Sequence, residues 1–98
     1  MPTKTITFEQ IITRYAEPVA LVADETPAAD VDALIDQLEI ASENLADAGI
    51  DSDDADAAAT LLAEARASSG SEQQVLLGKA SQRLKIAHGL LDDYAMGC

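Results

Sequence analysis

The chain has 98 residues, 48% of them hydrophobic and 24% charged, which excludes a wholly disordered protein and sets a modest core in one domain. The formal net charge is −12, and the single cysteine, Cys98, excludes an internal disulfide. No apolar run is long enough to span a bilayer, no basic-then-apolar leader opens the chain, and anionic lipid would repel the surface, so the expectation is a soluble, cytoplasmic protein without membrane contact.

Residues 3–8 alternate, as a short strand or as the lead-in to a helix. The lead-in is favoured because Thr7-Phe8-Glu9-Gln10 fits a capping box, with Thr7 as N-cap, Gln10 at the third helical position, and Ile6 and Ile11 as the hydrophobic staple. The first helix then runs from Phe8 to about Ala16, burying Ile11, Ile12 and Tyr15. Pro18 kinks or ends it, and residues 19–23 form a buried continuation. Thr26-Pro27 predicts a second helix, a capping residue followed by proline at the first helical position. That helix runs to about Ala48, with Val31, Leu34, Ile35, Leu38, Ala41 and Leu45 on its apolar face. Gly49 and Ile50 predict a Schellman stop.

Asp51 or Ser52 caps a third helix over 53–67, with Ala58, Leu61, Leu62 and Ala65 facing inward. Ser68-Ser69-Gly70 reads as a turn, and Ser71-Glu72-Gln73-Gln74 as a second capping box. The last helix covers 72–94, and Leu77, Ala80, Leu84, Ala87, Leu91 and Tyr94 repeat at the spacing of a packed seam. The fold class is therefore all-α, a small single-domain bundle of about four helices (8–23 kinked or split, 27–48, 53–67, 72–94) with short loops. Nineteen alanines and only three aromatic residues predict a fine-grained core in which helices approach closely.

Charge is distributed unevenly. Residues 15–65 hold 14 of the 18 acidic side chains and no lysine or arginine, whereas residues 1–14 and 66–98 each sum to +1. On the second helix Asp32, Asp36, Glu39, Glu43 and Asp47 fall at i, i+4, i+7, i+11 and i+15, one band opposite the apolar face. Like charges at this spacing destabilise an isolated helix by about 0.2–0.5 kcal/mol per pair. Asp51, Asp53, Asp54 and Asp56 form a second cluster, favourably placed against the positive end of the next helix. Lys79, Arg83, Lys85 and His88 on the last helix either pair with the acidic helix inside the monomer or make an opposite-sign contact on a partner or a second copy.

Few residues suit catalysis. One histidine and one terminal cysteine form no convincing pair, and no metal-protease, redox, phosphate-loop or nucleophile-elbow motif is present. The run from Asp51 to Asp56 fails as a calcium loop, since its sixth and twelfth positions hold Asp56 and Leu62 instead of glycine and glutamate. The expectation is no enzymatic activity, no cofactor and no metal.

Three explanations account for the acidic stripe: a solvated face, adaptation to high salt, or a docking surface for a basic partner. Carboxylates at helical spacing can imitate the anionic rail that a nucleic-acid-binding groove grips. The leading expectation is thus an inhibitor that occupies a basic surface on a protein or ribonucleoprotein complex. Asp32, Asp36, Glu39, Glu43, Asp47, Asp51, Asp53, Asp54 and Asp56 would make the contact, Lys79, Arg83 and Lys85 a second one, and nucleic acid would not be bound directly. In size, charge and lack of catalytic motifs the chain resembles phage-encoded blockers of host defence, such as anti-CRISPR and anti-restriction proteins. The alternatives are a self-associating adaptor that dimerises through Leu77, Leu84, Leu91 and Tyr94, and an antitoxin-like regulator in which residues 3–8 form a dimerising strand.

Overall fold

A computed structural model describes residues 5–96, with side chains through Asp92. The described residues form four α-helices and no strand: α1 Phe8–Ala23, α2 Val31–Asp47, α3 Asp53–Arg66 and α4 Gly70–Met96. The fold is the expected small all-α bundle. Thr3, Lys4, Cys98 and the side chain of Tyr94 lie outside the described residues.

The capping box of α1 is present. The Gln10 N–H donates to Thr7 Oγ1 at 3.1 Å, and the Thr7 N–H donates to Gln10 Oε1 at 3.1 Å. Pro18 neither ends nor splits the helix. Val19, Ala20, Val22 and Ala23 are all buried beyond it, and that burial outweighs the one hydrogen bond proline cannot donate. Ile11 and Tyr15 are buried as expected, whereas Ile12 is only half-buried. Asp24 stops α1 in the left-handed conformation, φ 56°.

Thr26-Pro27 does not open α2. The helix starts at Val31, capped by Asp30, whose Oδ1 accepts the Ala33 N–H at 2.9 Å. The reason is topological. Ile6 meets Gln74 and Tyr15 meets His88, so α1 and α4 run in the same direction. Asp54 meets Arg83 and Ala65 meets Gln73, so α3 runs against α4; Asp32 meets Arg66, and Ser42 meets Ser52, so α2 runs against α3. Hence α1 and α2 are parallel, and the chain must travel back along α2 before entering it. Residues 24–30, extended, can reach about 23–25 Å, which covers the roughly 20 Å from Val31 to Asn44. Two α2 side chains clamp this crossover. Asn44 Nδ2 donates to the Val22 carbonyl at 2.8 Å, and Gln37 Nε2 donates to the Thr26 carbonyl.

The exit from α2 follows the sequence closely. Gly49 has φ 76°, the Ile50 N–H donates to the Leu45 carbonyl at 2.8 Å, and the Gly49 N–H donates to the Ala46 carbonyl at 3.0 Å. These are the two bonds of a Schellman stop, and Ile50 packs against the core. Ser52 is the N-cap residue of α3 but makes no side-chain cap bond; Asp51 Oδ1 instead accepts the Asp53 N–H at 2.9 Å.

The second capping box does not form. α4 begins earlier, at Gly70, with φ 64°. Gln74, expected to fold back on Ser71, accepts the Ile6 N–H at 2.9 Å and donates to the Ile6 carbonyl at 2.8 Å. Gln73 donates to the carbonyls of Ala65 (3.0 Å) and Ser68 (2.9 Å). Both amides thus serve partly buried backbone groups that water reaches poorly, whereas the first N–H groups of α4 are exposed.

Helices α1 and α3 each pack on both α2 and α4, so the four form a ring with α2–α3 and α1–α4 as opposite edges. The particle measures 44 × 22 × 21 Å. Leu34, Leu38, Ala41 and Leu45 enter the core from α2. From α3 come Ala55, Ala58, Ala59, Leu62 and Ala65, with Leu61 only half-buried, and from α4 come Leu77, Ala80, Leu84, Ala87 and Leu91. The α4 seam is therefore enclosed by its own bundle, and Leu77, Leu84 and Leu91, at or below 1% exposure, offer no surface to a second copy.

Candidate functional site

The α2–α3 edge is a shallow groove of about 460 Å³. Glu39, Ser42 and Glu43 line it from α2, and Asp56, Ala59, Thr60, Ala63 and Glu64 from α3. All four carboxylates are exposed, and no lysine or arginine is among the lining residues. Local structure explains the alignment. Glu39 and Glu43 are one turn apart on the polar side of α2, and Asp56, Thr60 and Glu64 recur every fourth residue on α3. Thr60 Oγ1 donates back to the Asp56 carbonyl at 3.2 Å. Ala59 and Ala63 are too small to fill the space between the rows, so the carboxylates overlook an open channel.

The other acids expected at a partner surface are dispersed. Asp36 and Asp47 are exposed on α2 outside the groove lining. Asp32 pairs with Arg66 Nε at 2.8 Å, both side chains more than half exposed. The second cluster splits four ways. Asp56 joins the groove, Asp53 is exposed in the first turn of α3, Asp51 accepts a backbone bond, and Asp54, only 13% exposed, takes Arg83 Nη1 at 3.1 Å. Glu64 was absent from the residues expected at the surface. Its signal was present in the four-residue spacing from Asp56, which continues past the first turn where a helix dipole would favour acids.

The cations divide as well. Arg83 pairs with α3, not with the acidic helix α2; the cation that reaches α2 is Arg66. Lys79 and Arg83 border a shallow α3–α4 depression with Ala57, Thr60, Leu61 and Gln82. Lys85 turns to the α1–α4 edge. There it lines a concavity of about 250 Å³ with Arg14, Tyr15 and His88. The Arg14 guanidinium carbon stands 5.6 Å from the centre of the Tyr15 ring, and His88 meets that ring edge-on at 6.4 Å. His88 was not expected beside Arg14 and Tyr15, because it lies 73 positions after Tyr15 and only the parallel α1–α4 pairing joins them.

Among the described residues no three His, Cys, Asp or Glu side chains are grouped to hold a metal ion, and no helix is long and apolar enough to cross a membrane. Comparison with protein-family models, with curated proteins and with solved structures finds no match to this chain.

Proposed function

We propose that this protein is a non-enzymatic inhibitor that acts in the cytoplasm. Its α2–α3 edge docks on a basic, nucleic-acid-binding surface of a protein or ribonucleoprotein complex and blocks it, as phage-encoded antagonists of host defence do. The observation that carries the reading is the groove in which Glu39 and Glu43 face Asp56 and Glu64 with no cation among the lining residues. Folding gains nothing from this arrangement, since like charges across a groove repel. A partner with lysine and arginine side chains at phosphate-binding positions gains from it twice. Encounter is steered by the field, and each ion pair displaces a contact that nucleic acid would otherwise make.

The test is a capture from lysate eluted by a salt gradient, followed by affinity measurement on the retained partner. Replacing Asp36→Asn, Glu39→Gln and Glu43→Gln together should weaken binding by about tenfold or more per groove carboxylate and flatten its salt dependence. Unchanged affinity with an unchanged salt response would remove the reading.

A further inference from the structure

We propose that the concave α1–α4 edge binds a phosphate group carried by a small molecule, independently of the α2–α3 groove. Each of the four residues lining the smaller concavity there, Arg14, Tyr15, Lys85 and His88, can donate a hydrogen bond, and none is acidic. Their chemistry suits an oxyanion. Arg14 offers a planar fork from α1, Lys85 and His88 offer donors one turn apart from α4, and Tyr15 lies between them. Tyr15 is 3% exposed, yet none of the hydrogen bonds among the described residues involves its hydroxyl. The Tyr15 ring is thus a buried wall of the concavity, held between the Arg14 guanidinium and the His88 imidazole. Arg14 and Lys85 make no ion pair among the described residues, whereas Arg66 and Arg83 do.

Two further observations bear on the ligand. A second concavity of about 330 Å³ shares Arg14 and Tyr15 with the first and adds Thr5, Gln10 and Ser81, neutral polar groups that suit the body of a small phosphorylated molecule. The acids nearest in sequence, Glu17 one turn from Arg14 and Asp92 one turn from His88, are exposed and line neither concavity. The larger negative field belongs to the opposite edge of a bundle 21–22 Å across. That is about two Debye lengths at 0.1 M salt, so the acidic groove does not cancel the attraction.

The experiment titrates the intact protein with inorganic phosphate, and separately with adenosine 5′-monophosphate, following backbone and imidazole NMR signals. Chloride at matched ionic strength is the control. Saturable shifts centred on Tyr15, Lys85 and His88 are expected. Affinity should fall by about tenfold for each cation removed in Arg14→Gln and Lys85→Gln, both exposed positions that leave the core intact. Tyr15→Phe, which keeps the ring, should weaken binding severalfold. Tighter binding of the nucleotide than of inorganic phosphate is expected, and equal binding would overturn the assignment to a phosphorylated small molecule. Absence of saturable shifts, shifts that chloride reproduces, or undiminished binding by a variant carrying both Arg14→Gln and Lys85→Gln would each overturn the proposal. The acid-to-amide variants of the α2–α3 groove should bind phosphate unchanged, so either reading can fail alone.

Discussion

Along the α2–α3 edge, carboxylates face carboxylates across a channel floored by alanine. Along the α1–α4 edge, Arg14, Lys85 and His88 surround a buried tyrosine. The two edges also differ in how they are held. The core side of α3 offers four alanines and a single fully buried leucine, so α3 is placed by close backbone approach. The α1–α4 edge is pinned by larger and more specific contacts: Ile11 and Tyr15 in the core, and both backbone bonds from Ile6 to the Gln74 amide. Charge repulsion is thus concentrated where side-chain anchoring is thinnest.

The largest effect tests that contrast directly. Leu62→Ala removes the one large side chain α3 buries completely and should cost about 3 kcal/mol, lowering the melting temperature by about 15 °C. On the better-anchored side, Ile12→Ala, at a half-buried α1 position, should cost about 1 kcal/mol. Equal losses in thermal denaturation would show that α3 is not the weakly anchored element.

Next in size is the pin on the other edge. Gln74→Ala strips the Ile6 N–H and carbonyl of their partners and should cost about 2 kcal/mol. Amide exchange at Ile6 should accelerate well beyond the global change, because the lesion frees one segment. Exchange that rises uniformly across all four helices would mean that the amide supports the whole bundle.

The sequence made these two edges unequally legible. Features confined to one turn were readable: the Thr7–Gln10 capping box, the Gly49–Ile50 stop, and the Glu39–Glu43 row all depend on residues within a few positions of each other. The misreadings share a cause. Thr26-Pro27 and Ser71–Gln74 are both valid helix starts by local chemistry, yet one segment is needed as an extended return between parallel helices, and the Gln74 amide is taken by Ile6, 68 positions away. Neither demand is visible without the topology. The same blindness hid the Arg14–Tyr15–His88 grouping, which α1 and the distant α4 make only by folding against each other.

Smaller effects separate the ion pairs that tie the acidic edge down. Arg83 holds Asp54, which is 13% exposed, whereas Arg66 holds an Asp32 that is 61% exposed. Arg83→Ala should therefore cost about 1 kcal/mol and Arg66→Ala less than about 0.5 kcal/mol, since water screens the exposed pair. High salt should erase the second loss but retain part of the first. A larger loss from Arg66→Ala would place the main electrostatic tie on α2 instead of α3.

The last effect has the opposite sign. Glu39→Gln with Glu43→Gln removes two charges that repel each other one turn apart and repel Asp56 and Glu64 across the groove. Stability should rise by about 0.5 kcal/mol in low salt, and the gain should fade as salt is added. A fold under selection for stability alone would carry lysine at one of these positions, since an i, i+4 Glu–Lys pair is mildly favourable. Four carboxylates that repel one another across a groove make sense where their charge is used against another molecule. If the double variant were less stable than the natural chain in low salt, the acids would be serving the fold itself, and the case for an outward-facing role would lose its physical basis.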